Sequence, residues 1–400
     1  MNIDAFRKIE ERAFYALAAL LGLVVLIGLG AAHYMETHGH VVTGMTNQIV
    51  WGLPHVFAVF MIVAASGVLN VASIGSVFGK PVYKARAPLS ALLAIALLAG
   101  GLTVLMLDLG RPDRLIVAMT HFNFKSIFAL NVILYTGFFA IVAAYIWTMM
   151  DRKVKGFSKY AGFSAFIWRL ALTTATGSIF GFLVARQAYS SAILAPMFII
   201  MSFSYGLAVF IVVQSFMYAW NGLTLDEAIL RRMKNLLATF VGAVFYFTIV
   251  YHMTNLYFAK QWDFERFILL DGGIFTTLFW VGQIAIGTLI PLAMLLHPTL
   301  GINSKSVLFS ALLIILGGFA QLYVIIIGGQ AFPLSIFPGM QETSTFFDGA
   351  IHHYNPSLPE FLLGLGGIGI ALLITTIAVR ILHFVPQDDF HHVSKDALTD

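Results

Sequence analysis

The chain has 400 residues, 59% of them hydrophobic and 10% charged, with 23 Lys and Arg against 19 Asp and Glu and a mean hydropathy of +0.88. That composition excludes a water-soluble enzyme and a nucleic-acid-binding protein, and it predicts a polytopic membrane protein. With no cysteine in the chain, no thiolate can hold an iron–sulfur cluster, close a disulfide or act as a nucleophile, so a redox role needs another cofactor.

Apolar runs long enough to cross the hydrocarbon core predict an all-α fold of roughly ten transmembrane helices, at about 13–33, 50–77, 88–108, 126–149, 165–185, 193–219, 235–258, 273–295, 307–328 and 360–383. An even number of crossings puts both termini on one side. One set of connections holds Arg7, Lys8, Arg12, Lys80, Lys84, Arg86, Arg152, Lys153, Lys155, Lys159, Arg231, Arg232, Lys234, Lys305, Arg380 and Lys395. The other holds only Arg111, Arg114, Lys125, Arg186, Lys260 and Arg266. The basic side, with both termini, is therefore expected in the cytoplasm. The charged start of the chain has no short apolar run with a small-residue cleavage site, so the first span is expected to remain as a helix. Arg169 is placed near the inner end of span five, and no Asp, Glu, Lys or Arg is expected at a span centre.

The whole chain, 1–400, reads as one membrane domain. A first bundle is expected at about 50–187 and a second at about 193–295, with additional helices at about 307–328 and 360–383. The segment 329–359, rich in Pro, Gly and aromatic residues, is expected as a long outer loop that receives a partner or caps the bundle. The pairs His352/His353 and His391/His392 lack companions at metal-ligand spacing, and no metal site is expected.

Ionisable groups inside spans are costly and so are functional candidates. His55 lies about one turn inside span two in NQIVWGLPHVFAVF, Asp108 ends span three in LDLGRPDR, Arg186 ends span five, and His252 lies near the same face in span seven. His, Asp and Arg gathered just below a membrane surface suit a quinone headgroup. Its oxygens need hydrogen-bond donors, its redox chemistry needs proton exchange, and its tail needs an apolar cleft. Alternative readings remain at each position: Asp108 pairing with Arg111 or Arg114 at a helix end closed by Gly110 and Pro112, His55 bonding a carbonyl freed by Pro54, and Arg186 snorkelling to phosphate. A b-type haem held by His55 and His252, or by His33 with either, is the alternative cofactor. A secondary transporter is the alternative function, although the midplane charges expected of one are missing.

The segments WGLPHVFAVFMIVAASG, LDLGRPDRL, FNFKSIFALN, TGSIFGFLVARQ and NPSLPEFLLGLGG resemble the NrfD/PsrC family of integral membrane subunits of respiratory oxidoreductases. MTNQIVWGLPHVFAVF, LDLGRPDRLIVAM and HHYNPSLPE are most similar to its longer branch, found in the membrane complex associated with dissimilatory sulfite reductase. Hydrogenase membrane subunits of the HybB type are the near neighbour. The resemblance implies a quinone, menaquinone or ubiquinone, bound near the outer face of the first bundle in a bacterial inner membrane. It also implies a periplasmic iron–sulfur subunit docked above, with a multi-haem cytochrome and a further membrane subunit in the complex, and a role in sulfur metabolism. His55 and Asp108 would be catalytic and would bind the quinone together with Arg111, Lys125, Ser178 and Arg186. The chain departs from the family pattern at Gly52, where an Asn is expected, and at Thr176–Gly177–Ser178, where a Tyr is expected.

Overall fold

The structure is a computed structural model in which residues 3–221, 225–334, 349–382 and 384 are described. Nine helices among the described residues are long and apolar enough to cross a membrane. The first three are α1 (Ile3–His38), α2 (Leu53–Ser76) and α3 (Ala87–Leu107), followed by α4 (Ile127–Met150). One further helix of comparable length, α5 (Ser158–Gly181), is less apolar. Beyond it come α6 (Leu194–Trp220), α7 (Glu227–Tyr257), α8 (Ile274–Leu296), α9 (Ser304–Ala331) and α10 (Leu358–Leu382). No strand is present among the described residues. Of the long outer loop expected at 329–359, residues 335–348 lie outside the described residues, as does the pair His391/His392.

Local chemistry sets the helix ends. Pro54 and Pro88 stand in the first turns of α2 and α3, where their missing N–H costs nothing. Ser126 caps α4 by accepting from the Ala129 N–H, and Asp226 caps α7 by accepting from Ala228 at 2.6 Å. Beyond α3 the chain turns through Gly110 at φ +68°, a conformation that glycine adopts without strain.

Helix α2 is the hub. It packs against α3, α5, α6 and α10 and is buried on all sides, as a helix apolar all round should be. Its contact with α6 is backbone to backbone: a Cβ on Gly67 would collide with the Ser202 carbonyl, and one on Gly206 would collide with the Gly67 backbone. Small residues permit this approach, which is how helices gain packing energy where lipid supplies no hydrophobic drive. α4 and α5 pack together beside α2, whereas α8 and α9 pack together beside α6 and α7. α1 lies outside this core and meets α10 along a seam where Gly28 faces Gly366.

Arg169 corrects the expectation of charge-free span centres. Hydropathy placed the fifth span at 165–185, but the helix begins at Ser158 and ends at Gly181, which puts Arg169 in its middle. The side chain is 0% exposed. It donates to Asn70 Oδ1 at 2.9 Å and its guanidinium lies 4.8 Å from the Phe166 ring centroid and 5.1 Å from that of Phe203. Nε and Nη1 have no hydrogen-bond partner among the described residues. A cation this deep is costly, and Asn70 carries its single side-chain hydrogen bond among the described residues. Asn70→Ala is therefore expected to destabilise the protein by roughly 2 kcal/mol, read as a lower melting temperature of the purified protein in detergent.

Candidate functional site

The expected His–Asp constellation is formed. His55 stands in the first turns of α2 and Asp108 is the residue that closes α3, fifty-three positions later; His55 Nδ1 and Asp108 Oδ2 are 2.7 Å apart. The carboxylate is 0% exposed and the imidazole 15%. Asp108 also continues the helix backbone, its N–H reaching the Val104 carbonyl, so helix closure and side-chain pairing occur at the same residue. Its second oxygen, Oδ1, is buried without a hydrogen-bond partner among the described residues. A carboxylate on Nδ1 fixes the imidazole tautomer, with the proton on Nδ1 and the lone pair on Nε2. Such a pair can take a proton from a hydroxyl at Nε2 while the carboxylate stabilises the cation that forms.

Aromatic rings complete this corner. The Trp51 indole stacks on His55 at 6.0 Å and 23°, and it meets Phe128 of α4, Phe180 of α5 and Tyr189 beyond α5. The stretch of chain leading into α2 is clamped from three directions. Gln330 Oε1 accepts from the Val50 and Trp51 N–H groups, both at 3.0 Å, and Gln330 Nε2 donates to the Trp51 carbonyl. Arg186 donates to the carbonyls of Gln48 and Gln330 at 2.9 Å each. Glu360, fully buried at the start of α10, accepts from the N–H groups of Gly44 and Ser357 and from the Tyr354 hydroxyl, which itself accepts from the Leu53 N–H. Burial, and then the Glu360 carboxylate, raise the Tyr354 hydroxyl above its ordinary value and keep it a donor. Gly52 is the residue this clamp requires, because a Cβ there would meet Glu360 Oε1, Tyr354 Oη and Met45 Cγ.

The remaining expected residues sit as follows. Arg111 is 63% exposed and bonds Asp113 through Nε and Nη2, both at 3.0 Å, rather than Asp108. That hydrogen bond, together with the Coulombic attraction, raises the guanidinium and lowers the carboxyl. Lys125 is exposed on the turn before α4. Ser178 is buried, and its hydroxyl donates to the Thr174 carbonyl one turn back. The guanidinium of Arg186 holds backbone carbonyls, and burial lowers it from its ordinary value. The structure thus joins His55 to Asp108 and employs Arg186 in positioning the segment that carries Trp51. His33 is exposed on α1.

A second His–carboxylate pair is one that the sequence alone does not disclose. His252 Nδ1 of α7 lies 2.7 Å from Glu265 Oε2, and Asn255 donates to Glu265 Oε1 at 2.7 Å. Glu265 is 0% exposed. The signal is thin: an acid thirteen residues beyond the His, in a connection that reads as solvated. Beneath the pair is a cavity of about 20 Å³ lined in part by His252, Thr248, Gln283 and Gln321, the size of one water. Long π-helical stretches, Leu278–Leu289 in α8 and Val324–Gly328 in α9, flank it. Such stretches are rare and concentrate at functional sites.

Comparison with known proteins matches residues 41–334 to the family model described as polysulphide reductase, NrfD. The chain is 27% identical over 385 residues to the Hdr-like menaquinol oxidoreductase integral membrane subunit of Archaeoglobus fulgidus, covering 96% of this chain and 97% of that one. It is 26% identical over 402 residues to a Halobacterium salinarum chain that carries the name of a dimethyl sulfoxide reductase membrane subunit, covering 91% and 90%. It is 20% identical over 416 residues to a selenate reductase subunit of Mesobacillus selenatarsenatis, covering 93% and 95%.

Proposed function

Because the chain belongs to the NrfD polysulphide reductase family of membrane subunits, we propose that it exchanges electrons between a membrane quinone and an iron–sulfur subunit docked on its outer face, with His55 and Asp108 as the proton-handling pair. The observation that carries this is the buried His55–Asp108 contact beside Trp51, with Asp108 Oδ1 lacking a partner among the described residues. A quinol hydroxyl at His55 Nε2 would give up its proton there, Asp108 would stabilise the imidazolium, and the proton would leave toward the outer aqueous phase. Run in reverse, the same residues protonate a quinone. Menaquinone is the quinone proposed, since the Archaeoglobus relative is a menaquinol oxidoreductase subunit.

The same reading has α5 as a tenth crossing, both termini in the cytoplasm and the protein in the inner membrane, because Lys84, Lys155 and Lys159 gather at the end opposite His55. At the His55 end the connections expose Val41, Phe124, Val184, Tyr257 and Ile351 to solvent, an apolar rim suited to a protein partner. A periplasmic iron–sulfur protein is the partner proposed there, with a multi-haem cytochrome and another membrane subunit completing the complex. The placement in sulfur metabolism rests on LDLGRPDRLIVAM and HHYNPSLPE.

The test is extraction of quinone from the native complex, together with a redox difference spectrum and iron analysis of the co-purifying chains. Bound menaquinone and an iron–sulfur partner are the expected result. A haem b band belonging to this chain would move His55 and His252 to ligands, and absence of both quinone and redox partner would overturn the reading.

A further inference from the structure

Two residues beyond Asp108, the turn that follows α3 is met by an imidazole from a different part of the chain. His40 opens a short helical turn, His40–Val42, in the connection between α1 and α2. Its Nε2 stands 2.8 Å, and its Cδ2 3.1 Å, from where a Cβ on Gly110 would be. Glycine at this position therefore does more than adopt φ +68°: the side chain it lacks is the space in which the ring lies. The ends of α1 and α3 come together at the same place, where the charge of Glu36 acts on Arg111. The connection is fixed on its far side as well. Thr43 Oγ1 donates to the His40 carbonyl at 2.6 Å, and the Gly44 N–H donates to Glu360 at 2.8 Å, so the carboxylate that braces the approach to His55 also holds the segment carrying His40.

The hydrogen-bonding pattern points the same way. Nδ1 of His40 is buried without a hydrogen-bond partner among the described residues, and so is Oδ1 of Asp108. Buried polar atoms are normally satisfied, and these two belong to residues that meet at one turn. His40 as a whole is half-buried, whereas the Asp108 carboxylate is 0% exposed. From the imidazole on α2 the polar groups thus run through a buried carboxylate to a second imidazole at the outer edge. A neutral imidazole takes a proton on one nitrogen and releases one from the other, which suits histidine to passing protons between a buried acid and water.

We propose that His40 is the residue through which protons leave the His55–Asp108 pair for the outer aqueous phase, an inference that rests on the quinone reading of that pair. A quinol gives its electrons to the iron–sulfur subunit and a proton to His55 Nε2. The His55 Nδ1 proton passes to Asp108 Oδ2, the carboxyl turns about its Cβ–Cγ bond, and the proton goes through one water to His40 Nδ1. His40 then releases its other proton to the outer phase. Each transfer breaks one O–H or N–H bond and forms another, the quinol alone is oxidised, and Asp108 returns to a carboxylate ready for the second proton. His40 acts through Asp108 and has no contact with the quinone in this scheme.

The experiment measures quinol-dependent turnover of the purified complex in weak buffer, with and without added imidazole, for wild type, His40→Ala, His40→Gln, His55→Ala and Asp108→Asn. Both His40 variants are expected to retain quinone and to turn over roughly tenfold more slowly. Imidazole, a mobile substitute for the lost side chain, is expected to return His40→Ala toward the wild-type rate and to leave His55→Ala and Asp108→Asn slow. His38→Ala is the control: this exposed imidazole pairs with the Tyr34 carbonyl of its own helix, and its loss should leave turnover unchanged. His40→Ala running at the wild-type rate while His55→Ala and Asp108→Asn are slow would overturn the exit route and leave the quinone reading standing. Wild-type rates in all of them would overturn both. Slow turnover of His40→Ala that ignores imidazole and comes with a lower melting temperature would overturn the relay and make His40 a packing residue.

Discussion

Asp108→Asn is expected to leave the protein inserted and assembled while lowering quinol-dependent electron transfer by about a hundredfold or more. The amide oxygen can still accept from His55 Nδ1 across the 2.7 Å contact, so the geometry survives, but the negative charge that stabilises a protonated imidazole is gone. His55→Ala removes the proton acceptor itself and should do at least as much. Two controls separate the site from general damage. Asp113→Asn breaks only a solvent-exposed pair with Arg111 and should turn over normally. Ser178→Ala removes a hydroxyl already engaged with Thr174 and should do little. Steady-state turnover with a soluble quinol analogue, normalised to co-purifying iron, is the readout; variants of His55 and Asp108 that assemble and run at the wild-type rate would sink the quinone assignment to this corner.

Gly67→Val is expected to abolish assembly. Even a methyl group at Gly67 collides with the Ser202 carbonyl, and the facing position, Gly206, meets the Gly67 backbone just as closely. Relief requires α2 and α6 to separate, and α2 also supports α3, α5 and α10, so the strain cannot be confined to one pair. Overpacking of a core costs about 1–3 kcal/mol per inserted group where side chains can yield, and here the obstacle is backbone. Gly30→Ala is the matched control, with open space around its Cβ and a gain of about 1 kcal/mol in helix propensity. Fluorescence-detected size exclusion of tagged variants distinguishes the two: a monodisperse peak for Gly30→Ala and an aggregate for Gly67→Val.

Much of the fold was legible because hydropathy is a long-window property. The expected spans overlie the helices, but the charged first turns of α1, α7 and α5 read as connection, so those helices start at Ile3, Glu227 and Ser158, two to three turns before the expected spans. His55 and Asp108 were legible because their depths could be compared, even though their partnership across fifty-three residues could not. What stayed hidden shares one cause. Glu265 and Glu360 lie in or beside connections, where an acid ordinarily faces water, and only the folded chain shows both fully buried and saturated with donors. Gly52 read as a departure from the family pattern, and the three-dimensional reason for it is the approach of Tyr354 and Glu360. Arg186 read as a candidate for charge stabilisation because its carbonyl partners, from Gln48 and Gln330, come from remote parts of the chain.

The seam between α1 and α10 bears on how the protein is made. Ribosomes deliver α1 to the bilayer long before α10 exists, yet α10 supplies the Gly366 surface against which Gly28 fits. During synthesis α1 must therefore wait in lipid, largely unaccompanied, while the eight intervening long helices enter and pack. α10 then closes on α3 and α1 together, and its Glu360 locks the segment leading to His55 in the same event. Maturation of the proton-handling corner is thus tied to completion of the polypeptide: a nascent chain stalled before Leu358 would carry His55 and Asp108 without the brace that positions the approach to them.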